Sequence, residues 1–259
     1  MLLENKTVVV SGVGPGLGRE IAAVALRDGA NVVLGARTER RLAESAAALD
    51  PSGRRVAHCA TDIDDPEQCE RLMRTALDRF GGLDAVVQVA AYETISSTVE
   101  STLPDDWRRS FDTNVVGTVQ VVRAAAPHLK ARGGGAIVLI GTQAMWLPQM
   151  PQLAYAASKG ALLSAMYYMV KELGPDKIRV NMVVPTWMWG PPVQMYVKWQ
   201  ADQRNVPEEA IVREIAGHMP LGQIPADEDV AEAVAFFCSD RARMITGQTL
   251  MVNAGELMR

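Results

Sequence analysis

Short apolar runs rich in β-branched residues recur along the chain and alternate with longer segments of helical character. The first run, Thr7–Ser11, ends in a glycine-rich turn, and a helical segment, Arg19–Asp28, follows it. Further strand candidates are Asn31–Leu34, Val56–Ala60, Ala85–Val89, Ala136–Ile140, Ile178–Val184 and Leu250–Val252. Strands that alternate with helices predict a doubly wound parallel α/β sheet of about seven strands. The runs are apolar throughout, so helices are expected on both faces of the sheet.

Two later helices have clear ends. One opens at Pro104-Asp105-Asp106, because a proline and two acids suit the first turn of a helix, and it is expected to reach Lys130. The other covers Leu153–Leu173 and ends at Gly174-Pro175, a glycine cap followed by a residue that cannot continue a helix. No repeat or interdomain linker interrupts the pattern, so residues 1–259 are predicted to form a single domain.

The composition is that of an ordinary globular protein, with 48% hydrophobic and 22% charged residues. A net charge of −4 without a long basic run does not favour nucleic-acid or anionic-membrane binding, so a small molecule is the expected partner. Cys59, Cys69 and Cys238 have neither metal-ligand spacing nor the density of a disulfide scaffold, and no metal site is predicted. The chain has no signal-like start and no apolar run of about 18 residues, so a cytoplasmic location is expected.

The turn after the first strand reads Ser11-Gly12-Val13-Gly14-Pro15-Gly16-Leu17-Gly18. Position 17 is a leucine, so the turn fits G-x-x-x-G-x-G, through Gly12, Gly16 and Gly18, and not G-x-G-x-x-G. Such glycines allow a tight turn and let the backbone approach a pyrophosphate, whose charge meets the N-terminus of the next helix. An ordinary βα turn is the alternative, but it needs one glycine rather than several. The location between the first strand and the first helix favours dinucleotide binding.

The end of the second strand candidate bears on the choice of dinucleotide. Ribose recognition is expected about 20 residues after the glycines, with an acid for NAD and an arginine for NADP. Here Ala36 and Arg37 occupy that position, and the first acid is Glu39. The Arg37 guanidinium would bind a 2′-phosphate, although a surface arginine needs no such explanation. NADP(H) is therefore favoured, with NAD(H) as the alternative.

Two Tyr-x-x-x-Lys pairs lie on the predicted helix Leu153–Leu173, namely Tyr155 with Lys159 and Tyr167 with Lys171. Residues four apart share one face of a helix, and a nearby ammonium lowers the phenol pKa from its ordinary value of roughly 10. Such a phenol could protonate a carbonyl oxygen or deprotonate an alcohol. The second pair lies 12 residues further on, so the two pairs face different directions. Either pair alone could equally be a helix with packed tyrosines and solvated lysines.

Five features occur in one order: the glycine turn, Asp62 after the third strand, Asn114 in the fourth helix, Thr142 after the fifth strand, and the pair Tyr155 and Lys159. In this joint order and spacing, over nearly the whole chain, the sequence resembles the classical short-chain dehydrogenases/reductases. The resemblance implies a Rossmann-type fold and an oxidoreductase that transfers hydride between a nicotinamide cofactor and a carbonyl or secondary alcohol.

The resemblance also implies roles for individual residues. Tyr155 would be the general acid/base, and Lys159 would lower its pKa while holding the nicotinamide ribose. Thr142 would orient the substrate oxygen, and Asn114 would order a water beside Lys159. The residues implied to bind the cofactor are Gly12, Gly16, Leu17, Gly18, Arg37, Asp62, Ile63, Ala90, Tyr155, Lys159 and Pro185. Without the family pattern, Asn114 is interpreted as a satisfied helix residue and Asp62 as a turn residue.

Thr142 distinguishes the two tyrosine pairs. It lies 13 residues before Tyr155, the spacing at which the family places its carbonyl-orienting hydroxyl. The residue 13 positions before Tyr167 is Ala154, which has no hydroxyl. Tyr155 is therefore the catalytic candidate.

Three departures from the family pattern keep an alternative open. Threonine at 142 replaces the usual serine, which keeps the donor but adds a methyl group and restricts χ1. Gln88-Val89-Ala90-Ala91 replaces Asn-Asn-Ala-Gly, so side-chain amides at the sheet centre are partly missing, and Pro185-Thr186 replaces Pro-Gly. A non-catalytic NAD(P)-binding regulatory or scaffold relative is the alternative function.

A long connection at about residues 186–220 predicts a substrate-binding loop or lid. It contains three of the five tryptophans, among them Trp187 and Trp189, and Trp146 follows Thr142 on the other side. We expect Thr142, Trp146, Trp187 and Trp189 to contact an apolar and fairly bulky carbonyl or alcohol. The alternative is that these aromatic residues pack a helical flap or a subunit contact.

The family commonly forms dimers or tetramers through the helices that carry Asn114 and Tyr155. Small residues on the second of these helices, among them Ala157, Gly160 and Ala161, would allow another helix to approach closely. A homo-oligomer, either a tetramer or a dimer, is therefore expected, although small residues could equally pack against the chain's own sheet.

Overall fold

The computed structural model describes residues 1–93 and 97–259. A seven-stranded parallel sheet with the strand order β3-β2-β1-β4-β5-β6-β7 forms its centre. The strands are β1 (Thr7–Ser11), β2 (Asn31–Ala36), β3 (Val56–Ala60), β4 (Ala85–Gln88), β5 (Gly135–Ile140), β6 (Ile178–Pro185) and β7 (Thr249–Val252). The predicted fold class, a doubly wound parallel sheet of about seven strands, is confirmed.

Helices connect the strands. They are α1 (Leu17–Arg27), α2 (Glu39–Leu49), α3 (Pro66–Phe80), α4 (Pro104–Phe111), α5 (Thr118–Arg132), α6 (Leu153–Leu173), α7 (Pro191–Arg204), α8 (Glu208–Ala216) and α9 (Asp227–Cys238). A π-helical segment, Asp112–Gly117, joins α4 to α5. The helix predicted from Pro104 is thus present, but its hydrogen-bonding pattern changes in the middle and it continues to Arg132.

Some element ends differ from the sequence-based prediction. The strand β4 ends at Gln88 rather than Val89, because the N–H groups of Val89 and Ala90 both donate to the Ser11 carbonyl, at 2.8 and 2.9 Å. Two consecutive amides on one acceptor end the regular ladder and turn the chain. The helix α1 begins at Leu17 rather than Arg19, so the last glycine of the turn already lies in its first helical turn.

The core consists of one apolar layer on each face of the sheet. Val8 and Val10 point into the layer that contains Ile21 of α1 and Val234 of α9. Val9 points the opposite way, into the layer that contains Leu129 of α5. Successive strand residues face opposite sides, so a strand covered on both faces is apolar at every position.

The connection after β6 folds into α7 and α8, which pack on each other around a small apolar cluster of their own. Its buried members are Val197, Ala201, Ile211, Ile215 and Met219. The predicted long connection is therefore two helices rather than an irregular loop. Within the two described ranges, no helix is long and apolar enough to cross a membrane.

The strand order creates a crevice at the carboxyl edge of the sheet. The strand β1 pairs with β2 on one side and with β4 on the other. The chain therefore winds away from β1 in both directions, and the helices α1 and α5, which follow β1 and β4, pack on opposite faces of the sheet. In open α/β sheets, ligands bind at this topological switch point.

Candidate active site

The glycine turn after β1 packs closely against the turn after β4. Gly12 has φ +106°, and a Cβ added there would lie 2.1 Å from the Ala90 nitrogen. A Cβ at Gly18 would lie 2.3 Å from the Gly12 carbonyl oxygen, whereas a Cβ at Gly14 would meet no atom within 4 Å. Gly12 and Gly18 are therefore required by the close packing of the backbone around the turn. The open space at Gly14, beside the N-terminus of α1, forms a cradle of the kind that suits a pyrophosphate.

The residues predicted to hold the adenosine half follow the neighbouring strands β2 and β3. Arg37 is exposed directly after β2, and Ile63 is buried after β3. Asp62 is held in a turn, because its N–H donates to Gln68 Oε1 at 2.9 Å and its Oδ1 accepts from Asp64 N at 3.2 Å. The structure brings these residues to the same sheet edge as the glycine turn.

Asn114 is fully buried in the π-helical segment. Its Oδ1 accepts from Tyr92 N at 2.7 Å, and its Nδ2 donates to Tyr92 O and to Ser158 Oγ, each at 2.9 Å. One amide thus ties the segment after β4 to α6. A π-helical segment inside an α-helix frequently marks a functional site, and Asn114 lies within it.

Lys159 is 3% exposed, and its Nζ donates to the Ile140 carbonyl at 2.7 Å. The ammonium nitrogen is 5.9 Å from the centre of the Tyr155 ring. Burial lowers the pKa of Lys159 to about 8, and the Glu93 carboxylate acts in the opposite direction. The ammonium is therefore anchored to the end of β5, below the tyrosine.

The pKa of Tyr155 is raised, first by burial of the phenol and second by the charge of Glu93. The Thr142 hydroxyl acts in the opposite direction, by hydrogen bonding to the phenol. Lys159 is not among the causes that act on the Tyr155 pKa in this structure, so the lowering of that pKa by Lys159 stays a prediction. The ammonium is directed to the Ile140 carbonyl, while removal of the phenol from water disfavours its charged form.

Thr142 follows β5 directly after Gly141, in an extended conformation with φ −153° and ψ 143°. Its Oγ1 accepts from Ala144 N at 3.2 Å. That bond occupies an acceptor site of the hydroxyl and leaves its proton to be donated. The threonine therefore retains the donor that the family's serine would provide.

The second tyrosine pair is on the surface. Tyr167 is 50% exposed, and Lys171 is also exposed. Tyr167 lines a shallow surface pocket together with Trp146 and Arg259. The predicted difference in direction between the two pairs is thus observed, and only Tyr155 lies beside Thr142.

The departures after β4 and β6 have structural counterparts. Gln88 is 2% exposed, and its Nε2 donates to the Ala90 carbonyl at 3.2 Å and to Thr118 Oγ1 at 3.4 Å. One amide therefore still ties the sheet centre to α5, although within the described residues Gln88 Oε1 has no partner. Pro185 pairs with Val252 of β7, and the Thr186 hydroxyl donates to Glu256.

The structure does not bring the predicted tryptophans together around Tyr155. Trp187 contacts Tyr196 in a tilted arrangement, with ring centres 5.2 Å apart and 41° between the ring planes, and packs against the α7–α8 cluster. Trp146 lies under the guanidinium of Arg259, which is 4.6 Å from the ring centre. Trp189 is 38% exposed and lines an open, mostly apolar pocket of about 510 Å³ with the end of α8. For Trp187, the alternative of a packed helical flap describes the observed contacts.

Two acidic residues beside the site were not found from the sequence. Glu93 accepts a hydrogen bond from Gln152 Nε2 at 2.6 Å, and its charge raises the pKa of both Tyr155 and Lys159. Its position shortly after β4 was a usable signal, because strand ends converge at this edge. Glu256 contacts Gln143, Gln149 and Thr186. No sequence pattern links these remote positions.

The fold and the site together define a nucleotide-binding α/β enzyme with a tyrosine, a lysine and a hydroxyl at the switch point of its sheet. Residues 12–256 match a family model described as enoyl-(acyl carrier protein) reductase. The chain belongs to the short-chain dehydrogenase/reductase family.

Relatives and solved structures agree with this assignment. The chain is 30% identical over 257 residues to dehydrogenase/reductase SDR family member 4 of Homo sapiens, covering 99% of this chain and 89% of the relative. It is 31% identical over 264 residues to an L-rhamnose 1-dehydrogenase (NAD(P)(+)) of Azotobacter vinelandii, covering 98% of each chain. A crystal structure of L-sorbose reductase from Gluconobacter frateurii, complexed with NADPH and L-sorbose, superposes with a TM-score of 0.92 at 27% identity and covers 100% of both chains.

The protein is thus an NAD(P)-dependent dehydrogenase/reductase that acts on CH–OH or C=O groups. The strand order explains why the glycine turn, the π-helical segment and α6 meet at one crevice. The choice of substrate depends on the side chains around Tyr155, and the choice between NADP and NAD depends on the residues that follow β2.

Proposed function

We propose that this chain transfers hydride between NADP(H) and a carbonyl or secondary alcohol, with Tyr155 as the general acid/base. The observation that carries the proposal is the meeting of three groups at the carboxyl end of β5: the Lys159 ammonium lies 5.9 Å from the Tyr155 ring centre and bonds to Ile140 O, and Thr142 follows the same strand. A nicotinamide supplies or accepts the hydride when it is bound. The side chains of this protein then have to manage the proton and the charge on the substrate oxygen.

In the direction of reduction, a substrate oxygen gains negative charge and needs a proton. Tyr155 has a raised pKa, so it is protonated near neutral pH and can donate. The Thr142 hydroxyl would donate a hydrogen bond to the same oxygen, which stabilises the developing charge in a site shielded from water. In the direction of oxidation, the phenol proton of Tyr155 would first have to pass to the neutral amine of Lys159, after which the phenolate could accept the alcohol proton while Thr142 orients the alcohol.

Lys159 and Asn114 are proposed to supply the next steps of proton transfer. With a pKa lowered to about 8, Lys159 can exchange a proton near physiological pH. Its ammonium is also proposed to hold the ribose hydroxyls of the nicotinamide half. Asn114 is proposed to order a water beside Lys159 through its Oδ1, which can accept a second hydrogen bond besides that from Tyr92 N, because both Nδ2 hydrogens are donated to Tyr92 O and Ser158 Oγ.

The residues proposed to hold the cofactor fit its shape and charge. Gly12, Gly16, Leu17 and Gly18 would meet the pyrophosphate at the N-terminus of α1. Asp62 and Ile63 would contact the adenine, and Ala90 and Pro185 would border the nicotinamide half. NADP(H) is favoured over NAD(H), because the exposed Arg37 guanidinium follows β2, where a 2′-phosphate would be recognised. The NADPH named with the L-sorbose reductase supports this preference.

A bulky, apolar carbonyl or alcohol is the first proposed substrate class. Support comes from the partly exposed ring of Trp189, which follows β6 on the chain that leaves the catalytic edge of the sheet. The apolar pocket that Trp189 lines contains none of Thr142, Tyr155 and Lys159. The two helices α7 and α8 would act as a lid over the substrate. Trp189→Ala should weaken the binding of ring-bearing ketones and leave small polar ones unchanged. Unchanged affinity for both classes of ketone in Trp189→Ala would contradict this choice of substrate.

A polyhydroxylated substrate is the second candidate, and a specific observation favours it. Glu93 and Gln152 form a polar pair beside Tyr155 and offer acceptors and donors for neighbouring hydroxyl groups. Sugars also stand in the names of two similar proteins, the L-rhamnose dehydrogenase and the L-sorbose reductase. Glu93→Ala should then impair turnover of a ketose such as L-sorbose while leaving a cyclic ketone unaffected.

One experiment separates these candidates from a non-catalytic relative. Oxidation of NADPH and of NADH is followed against carbonyls of graded size and polarity, and cofactor binding is measured in parallel. Turnover with NADPH supports the proposed enzyme, and the best substrate selects the class. Binding of NADPH without turnover across the whole panel would support a regulatory or scaffold role instead.

A homo-oligomer with a cytoplasmic location is also proposed. Val116 and Val119 on one helical segment, and Tyr168 on α6, are large apolar side chains that are more than two-fifths exposed. A subunit contact would remove this apolar surface from water. Light scattering should give the mass of a dimer or a tetramer, and a monomer at micromolar concentration would contradict the proposal.

A further inference from the structure

The C-terminal segment after β7 returns to the catalytic edge of the sheet and contacts both sides of the site. Its residue Glu256 accepts hydrogen bonds from three side chains that belong to two different segments. Gln143 Nε2 donates at 2.8 Å and Gln149 Nε2 at 2.7 Å, while the Thr186 hydroxyl donates to the same oxygen as Gln143. One carboxylate thus joins the segment after Thr142 to the chain after Pro185.

The orientation of the Gln143 amide is determined by its partners. Its Oε1 accepts from Asn253 Nδ2 at 2.7 Å, and its Nε2 donates to Glu256. Only this orientation of the amide satisfies a donor on one side and an acceptor on the other. Gln143 is the residue next to Thr142 and is buried. Its fixed side chain therefore restricts the backbone that carries the Thr142 hydroxyl.

A third contact secures the same segment. The guanidinium of Arg259 lies 4.6 Å from the ring centre of Trp146. Glu256 and Arg259 thus hold the 143–149 segment at several points, while Glu256 also holds Thr186. Within the described residues, no ion pair includes Glu256. Its role in this arrangement is to accept hydrogen bonds.

We propose that Glu256 is a positioning residue that sets the location of the Thr142 hydroxyl relative to the chain beside the nicotinamide. The inference rests on the proposed hydride transfer, since it assigns a purpose to the geometry of that site. Charge-assisted hydrogen bonds are stronger and more directional than neutral ones. A carboxylate that accepts three of them holds two loops in one relative position without touching the substrate.

An amide at position 256 tests the idea because all three partners are donors. Glu256→Gln keeps the size of the side chain. The NH₂ group of the introduced glutamine is itself a donor, so it must face a donor of at least one of the three partners, and that hydrogen bond is lost. We expect kcat to fall by roughly 10- to 100-fold from misplacement of the Thr142 hydroxyl. The dissociation constant for NADPH and the melting temperature should remain near those of the unmodified protein.

A second substitution should restore the geometry. In Glu256→Gln combined with Gln149→Glu, the oxygen of the introduced amide can accept from Gln143 and Thr186. Its NH₂ group can donate to the new carboxylate at 149, so every contact is satisfied again. Recovery of kcat to within about threefold of the unmodified enzyme is expected. Glu44→Gln, which removes a surface carboxylate on α2, is the matched control for loss of charge.

Hydrogen–deuterium exchange of residues 142–150 provides a readout that does not depend on turnover. Faster exchange in Glu256→Gln, reversed by the double substitution, is the expected result. Unchanged exchange and unchanged kcat in Glu256→Gln would overturn the proposal. Faster exchange and a lower kcat that the double substitution does not reverse would also overturn it. If the unmodified protein turns over no substrate, the proposed function fails, while exchange still decides whether Glu256 holds the segment.

Discussion

The Lys159 ammonium donates a hydrogen bond to the Ile140 carbonyl at 2.7 Å and is almost completely removed from water. Its pKa is lowered to about 8 from the ordinary value of 10.5, with burial as the largest cause. A buried charge of this kind costs stability, and the cost depends on pH. The residue proposed to relay protons is therefore unfavourable for folding.

The pH dependence of stability tests this conflict. Below about pH 8 both the folded and the unfolded chain carry the Lys159 proton, and the folded state bears the full cost. Between pH 8 and 10.5 the unfolded chain binds more protons, so stability rises with pH, by roughly 3 kcal/mol in total. Lys159→Met should lack this rise. The measurement is urea unfolding of both proteins at a series of pH values.

A comparison with the variant is required because other groups act in the opposite direction. Burial raises the pKa of Cys69 to about 11 and that of Cys238 to about 12, and the pKa of Tyr155 is also raised. These groups keep their protons longer in the folded state, so they lower stability as the pH rises above 9. These groups are present in both proteins, so their contributions cancel in the difference between the two free energies of unfolding. Parallel stability curves would contradict the assigned state of Lys159.

Thr142 should act through its hydroxyl. Thr142→Val removes the donor at nearly constant shape and is expected to lower kcat by about 100- to 1000-fold. Thr142→Ser keeps the donor and loses only the methyl group, so its kcat should stay within a few-fold of the unmodified enzyme. Steady-state kinetics at saturating cofactor gives both values.

The matched control for Thr142→Val is Thr75→Val, at a half-buried threonine on α3 whose hydroxyl donates to the Arg71 carbonyl. Its kinetics should be unchanged. If Thr142→Val retained full turnover, the hydroxyl would have no role in orienting the substrate oxygen.

Arg37 should determine the preference for NADP over NAD. Arg37→Ala removes the proposed partner of the 2′-phosphate, and affinity for NADPH should fall by about tenfold or more, since a charge-assisted hydrogen bond is worth roughly 1.5–3 kcal/mol. Affinity for NADH should change little. Calorimetry with both cofactors measures the two effects, with Arg74→Ala on α3 as a control. An equal loss for both cofactors would indicate that Arg37 acts on the fold and not on the phosphate.

The glycine turn should tolerate a methyl group at one position and not at another. In Gly12→Ala the new Cβ would meet the Ala90 backbone, 2.1 Å from its nitrogen, at a φ of +106°. A loss of about 2 kcal/mol or more in the free energy of unfolding is expected. Gly14→Ala meets no atom within 4 Å and should change stability by less than about 0.5 kcal/mol. Denaturant unfolding without cofactor compares them, and equal stabilities would contradict the described packing of the turn.

Local pattern was enough to predict much of the fold. Continuous apolar runs such as Thr7–Ser11 predict buried strands, because a strand covered by helices on both faces is apolar at every position. The choice of Tyr155 over Tyr167 also came from the sequence, through the hydroxyl 13 residues earlier. The exposed position of Tyr167 agrees with that choice.

Contacts between remote segments could not be predicted in this way. Lys159 bonds to a carbonyl 19 residues earlier, and Gln143 bonds to Glu256 across 113 residues. Neither contact follows from periodicity, because each depends on how the strand ends meet in space. The tryptophans show the same limit, since their clustering in sequence gave no information on whether Trp187 faces Tyr155 or Tyr196.

Turnover of the two tyrosine variants tests the central claim most directly. Tyr155→Phe removes the phenolic hydroxyl and is expected to lower kcat by about 100- to 10,000-fold, while NADPH binding stays near that of the unmodified protein. Tyr167→Phe removes an exposed hydroxyl on the same helix and should leave kcat unchanged. Full turnover in Tyr155→Phe, together with its loss in Tyr167→Phe, would contradict the assignment of Tyr155 as the general acid/base.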